Sequence, residues 1–147
     1  MPLLNYTTTI KVEKTASEIV GILAKHRATN IMMDYDGTGN VTGIKWRVDA
    51  DQGPLGFQLP VNIEAVFQVM TKQGILRSDN QKRRAQAERT AWRILKDWVE
   101  AQMALLETNM VQLEEIFLPY MLTGEQTLYQ VLAAGGFKAL PQPREMT

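Results

Sequence analysis

The stretch that decides the reading of this chain runs from Ser78 to Leu118: SDNQKRRAQAERTAWRILKDWVEAQMALLETNMVQLEEIFL. Trp92, Leu95, Val99, Met103, Leu106, Met110, Leu113 and Phe117 recur in it at steps of three and four, the spacing of one helix face. Ser78-Asp79-Asn80-Gln81 fits a capping box, and Pro119 lies where a helix must stop or kink. The pattern predicts one helix over about 79–118, a rod of roughly 58 Å at 1.5 Å per residue. A compact domain of this size is only about 40 Å across. A rod that overhangs its own globule needs a partner for its apolar side. Ile94, Trp98, Ala101 and Leu105 form a second apolar row beside the first and widen that side.

The charges of the stretch are sorted. Arg77, Lys82, Arg83, Arg84, Arg89, Arg93 and Lys96 come first, and from Asp97 to Glu125 every charge is acidic. This order opposes the helix macrodipole, and two antiparallel copies of the helix would relieve it. The expectation is therefore a homo-oligomer joined through Trp92, Leu95, Trp98, Val99, Met103, Leu106, Met110, Leu113 and Phe117.

Upstream, NYTTTIKV at 5–12 is rich in β-branched residues and alternates, which predicts a strand. Thr15-Ala-Ser-Glu18 fits a capping box for a helix carrying Ile19, Ile22, Leu23 and His26. Residues 30–35 and 41–48 read as strands around the turn Asp36–Asn40. A third strand, Leu55–Leu59, follows the turn 51–54. Ile44, Trp46 and Val48 alternate with Lys45, Arg47 and Asp49, so the sheet has one wet face. Asn62 caps a short helix with Ile63, Val66, Phe67 and Met70. Downstream, Thr123-Gly124-Glu125-Gln126 fits a box opening a helix with Leu128, Val131 and Leu132, which Gly135-Gly136 stops.

The fold class that results is α+β. An N-terminal β-α-β-β-β-α unit with a one-sided antiparallel sheet precedes the long helix and a short C-terminal helix. The domain reading is 1–74 for the α+β unit, 75–137 for the helical region and 138–147 for a flexible tail.

Composition narrows function by exclusion. The 147 residues hold 16 Lys+Arg against 16 Asp+Glu, so charged partners must be met by a local patch. The chain has no cysteine and one histidine, His26, which leaves neither thiol chemistry nor a zinc set. Ser17 and Ser78, the only serines, both sit in cap sequences, and no nucleophile elbow is present. Without a signal sequence or an apolar run of membrane length, the expected setting is the cytoplasm. Asp34 to Lys45 has oxygen ligands and a glycine spaced as in a calcium loop, but ends on a lysine and is flanked by strands; a hairpin turn accounts for it. Asp34, Asp36, Asp49 and Asp51 would form a Mg²⁺ site if the turns brought them together. No cofactor is expected.

What remains is the basic segment. Lys82, Arg83, Arg84, Arg89, Arg93 and Lys96, helped by Lys45 and Arg47 on the sheet, suit phosphate contact. The rival reading is a solvated face, or the complement of a sister helix. NYTTTIKV, GFQLPVN and TAWRILKDWVEAQMALLE resemble segments of small uncharacterised proteins of phages and of bacteria that carry prophages. The resemblance implies a phage or bacterial-host setting and brings no catalytic residue. The order β-β-β-α over 30–73 is similar to the core of single-strand annealing proteins, a likeness of pattern alone. The leading expectation is a non-catalytic, oligomeric accessory protein that contacts DNA or RNA, with a place in phage DNA metabolism. A protein-binding module, such as a phage-encoded inhibitor of a host defence protein, is the alternative, and a metal-dependent enzyme using the turn carboxylates comes third.

Overall fold

The computed structural model describes residues 1–143. Helix α1 (Val12–Lys25) leads into three strands, β1 (Ala28–Tyr35), β2 (Val41–Ala50) and β3 (Gly53–Gln58), and α2 (Ile63–Lys72) follows. The long helix α3 (Asn80–Glu107), a short α4 (Leu113–Phe117), a 3-10 turn (Leu118–Tyr120), the small hairpin β4 (Leu122–Thr123) and β5 (Gln126–Thr127), and α5 (Leu128–Ala134) complete it. The α+β class with a small antiparallel sheet, a long helix and a short C-terminal helix is as the sequence implies.

The sheet has the order β1-β2-β3 and follows its alternation. Ile44, Trp46 and Val48 are buried, and Ile31, Met33, Leu55 and Phe57 stand opposite them or beside them on the same face. Lys45, Arg47 and Asp49 point to the other face. Asn62 caps α2 by accepting from the Ala65 N–H, and Gly135 ends α5, both at the expected residues.

Four local expectations fail, each for a physical reason. Residues 5–12 form no strand. Their carbonyls are taken by side chains of α3 instead: Gln86 Nε2 donates to Tyr6 O and Thr8 O, both at 2.9 Å, and Thr90 Oγ1 donates to Asn5 O at 3.2 Å. Asn5, at φ +63°, closes the clasp by donating from Nδ2 to Asp97 at 2.8 Å. Helix α1 starts at Val12, so Thr15 is no cap. It is buried mid-helix, and Glu18 pairs with Arg93 at 2.7 Å. Asp79, one residue after Ser78, caps α3 by accepting from the Lys82 N–H. Thr123–Gln126 turns the β4–β5 hairpin through Gly124 at φ +77°, while the capping box belongs to Thr127 and Gln130.

The largest correction concerns the long helix. It spans 28 residues, about 42 Å, and stops at Glu107. Asn109 takes the left-handed conformation at φ +60°, which asparagine tolerates better than most residues, and its N–H returns to Leu106 O. Gln112 and Glu115 then form a capping box that restarts the chain as α4. The break carries Leu113 and Phe117 back onto the sheet. Phe117 meets Trp46 edge-on at 5.3 Å between centroids, Trp98 at 5.7 Å and Phe57 at 6.0 Å. Trp92, Leu95, Val99, Met103, Leu113 and Phe117 lie in one core with Ile19, Leu23, Trp46 and Phe57. The rod does not overhang, and that core runs unbroken across the joint that divides 1–74 from 75–137. Of the expected oligomer stripe, only Met110, 67% exposed at the break, is fully available to another molecule; Trp98 and Leu106 are half-buried against the core. No helix among the described residues is long and apolar enough to cross a membrane. Arg144 to Thr147, the end of the expected flexible tail, lie outside the described residues.

Candidate nucleic-acid interface

Most of the basic segment is engaged within the fold. Arg93 pairs with Glu18, Lys96 with Glu100 one turn on, Lys45 with Asp34 at 3.7 Å and Arg47 with Asp49 at 3.3 Å. Arg89 donates to Thr8 O and to Gln86, helping to hold the N-terminal segment. Arg84 pairs with Glu64 at 3.0 Å, and its guanidinium lies 4.1 Å from the Phe67 ring centroid, yet the side chain stays about half exposed. Lys82 is exposed and has no ion-pair partner among the described residues.

Arg83 is the centre of this corner. It is 6% exposed, and no carboxylate among the described residues balances it. Its Nε donates to Thr71 Oγ1 at 3.0 Å, Nη1 to Leu76 O at 3.1 Å and Nη2 to Asn80 Oδ1, while Phe67 lies 4.9 Å from Cζ. One guanidinium therefore ties the end of α2, the joint and the first turn of α3 together, through neutral acceptors and a ring face. Arg83→Ala is expected to lower stability by about 2–3 kcal/mol, the range for charge-assisted hydrogen bonds. Arg83→Lys should recover little of this, because an ammonium lacks the planar spread of donors. The shift of the urea midpoint at unchanged slope measures both.

The groups that Arg83 ties together carry further cations beside them in the chain. Lys72 follows Thr71, Arg77 follows Leu76, and Lys82 precedes Arg83. All three are exposed, and none has an ion-pair partner among the described residues. Lys72 and Arg77 are the residues that attention to helix α3 alone misses. Five cations thus crowd residues 71–84, with Asp79 inside the segment and Glu64 beside it as the only carboxylates met among the described residues. Next to this corner Tyr6, Thr7, Ile75, Leu76 and Gln86 line a mostly apolar trough of about 350 Å³. Leu76 is 44% exposed and held at φ +50° by the joint.

The carboxylates expected at a metal site are not brought together. Asp34 and Asp36 lie at the β1–β2 end, Asp49 and Asp51 at the β2–β3 end, and the length of β2 between them separates the two groups by roughly 20–30 Å. Asp36 instead holds its own turn, accepting from Thr38 Oγ1 at 2.7 Å, Thr38 N at 2.8 Å and Asn40 N at 3.2 Å. Those bonds, the Thr38 hydroxyl first, draw its pKa below the ordinary 3.8. Glu64 is drawn below 4.5, by the Gln68 amide first and then by Arg84. Depressed folded values mean that this stabilisation is complete above the ordinary carboxylate range and disappears as pH falls through the lowered values. Carboxyl NMR titration is expected to place both groups below those references, with Thr38→Ala returning Asp36 upward. His26 serves α1, bonding Ile22 O at 2.7 Å through Nδ1 and Glu107 at 3.2 Å through Nε2.

No family model, no curated protein and no solved structure matches the chain.

Proposed function

We propose that this protein is an accessory factor that binds single-stranded nucleic acid at the α2–α3 corner. The observation that carries the reading is the set of exposed cations Lys72, Arg77 and Lys82, unpaired among the described residues and each next in the chain to a member of the Arg83 cluster, with Arg83 itself buried and lacking a carboxylate partner among the described residues. A phosphate backbone supplies the missing negative charge, and Arg84, half exposed over Phe67, adds a contact at the rim. The trough beside the corner favours a single strand over a duplex. Its Tyr6 ring and the apolar surface of Ile75 and Leu76 suit an unstacked base, which a duplex does not offer.

The proposed role is one of binding. Lys45, Arg47, Arg93 and Lys96 are left out of the proposed interface, because they lie outside residues 71–84 and each pairs with a carboxylate. The test is affinity for a labelled oligonucleotide measured against salt. With phosphate contacts from Lys72, Arg77 and Lys82, and Arg84 already neutralised by Glu64, log K should fall against log salt with a slope of about −2 on a single strand. Absence of binding to DNA and RNA at low salt removes the reading.

A further inference from the structure

We infer that β1 is a dimerisation edge, on which a second copy of the chain adds its own β1 antiparallel to form a continuous six-stranded sheet. The two edges of the sheet are treated differently. The edge of β3 is closed: Met121 bridges to Phe57, Leu122 packs on Gly56, and Pro54 removes a donor. The edge of β1 pairs with nothing among the described residues. It has no lysine and no proline to protect it, and its one charged residue is Asp34. Its register irregularities lie near its ends, leaving Asn30–Asp34 regular.

The residues of that regular stretch are self-complementary. Directly opposed residues in an antiparallel pair share a face, so only registers that match core-facing with core-facing residues are allowed. Ile31 and Met33 face the core, opposite Trp46 and Ile44, and Asn30, Met32 and Asp34 face away. A two-fold axis through Met32 sets Ile31 against Met33 of the second copy and Asn30 against Asp34 of the second copy. It also sets Met32, 60% exposed in the single chain, against its own equivalent. Moving the axis to Ile31 sets Asn30 against Met32, and moving it to Met33 sets Met32 against Asp34. Only the axis at Met32 pairs apolar with apolar and amide with carboxylate throughout.

Helix α1 permits the approach. It packs on β1 and β2, and Thr15 and Glu18 turn towards Arg93 of α3. Its opposite flank begins with Glu13 in the first turn and then carries only Ser17, Val20 and Ala24, with Gly21 beside them, so beyond that turn no side chain is larger than valine. Two copies of α1 would meet along this flank on the same side of the joined sheet. The symmetry is isologous and closes at two chains, so no filament follows. This interface replaces the α3 stripe that the sequence suggested, and it is independent of the nucleic-acid reading.

The test uses the full chain. Sedimentation from about 1 to 100 µM should show a concentration-dependent dimer. Asn30→Asp sets like charges across the axis twice and should weaken association about tenfold, while Asn30→Lys, facing Asp34, should tighten it. The chain has no cysteine, so Met32→Cys gives a clean probe. Opposed positions lie about 4.5–5.5 Å apart between Cα atoms, within disulfide reach, and mild oxidation should yield a covalent dimer that Glu125→Cys does not give. A monomeric mass over the whole range overturns the proposal. So does a dimer that neither Asn30 variant moves, or a failure of Met32→Cys to cross-link.

Discussion

Phe117→Ala is expected to lower the free energy of unfolding by about 3–5 kcal/mol, the cost of deleting a buried aromatic and leaving its cavity. Phe117 is fully buried, touches three aromatic rings and joins α4 to the sheet and to α3, so the cavity has little freedom to collapse. For a domain of ordinary stability this is a large fraction of the total. Met110→Ala, on the same sequence stripe but at the exposed break, should cost less than about 0.5 kcal/mol. The comparison separates two accounts of the stripe. If it is this chain's own core, the Phe117 loss stays the same at low and high protein concentration. A stripe that served a partner helix would instead show the loss as weakened association, with Met110 contributing beside Phe117. Chemical denaturation of both variants at two concentrations distinguishes them.

The second large effect falls on binding. Lys72→Ala, Arg77→Ala and Lys82→Ala combined should reduce affinity for a single strand about a hundredfold, at roughly 1 kcal/mol for each lost phosphate contact. The salt dependence should nearly vanish with them. Tyr6→Ala should act differently. Loss of one stacking platform costs about 1–3 kcal/mol and leaves the salt slope unchanged, because no phosphate contact is removed. The control is Lys96→Ala: Lys96 belongs to the same basic run but is paired with Glu100, and its loss should leave affinity and slope nearly unaltered. None of the three corner cations makes an ion pair among the described residues, so the triple variant should melt close to the parent.

The sheet was legible because β2 alternates from Ile44 to Asp49, and its inward residues Ile44, Trp46 and Val48 are buried. The N-terminal segment misled because a Thr-rich alternating stretch reports extended backbone without saying what bonds it. Here the partners are Gln86 and Thr90, some 80 residues away, and no local pattern reveals them. The break in the long helix was hidden for another reason. Thr108–Gln112 contains neither glycine nor proline, and the stripe keeps its period through a turn that Asn109 makes at positive φ. The separation of the turn carboxylates was deducible, since consecutive hairpin turns lie at opposite ends of the shared strand.

At the candidate site the sequence located the basic end of α3 but not which cations are free. Glu100, four residues after Lys96, was a visible partner of the kind helices supply. Glu18, which takes Arg93, was not, because it comes from another helix. Lys72 and Arg77 gain their place only when Arg83 ties Thr71 to Leu76, a contact made by folding.

The most direct measurement is an amide chemical-shift map of the isotope-labelled chain, titrated with a short single-stranded oligonucleotide at low salt. The account predicts saturable shifts confined to residues near 71–84 and to Tyr6 and Thr7, with Lys45, Arg47, Arg93 and Lys96 unmoved. Shifts centred on the outer sheet face or the middle of α3, or none at all with DNA and RNA strands, would contradict it.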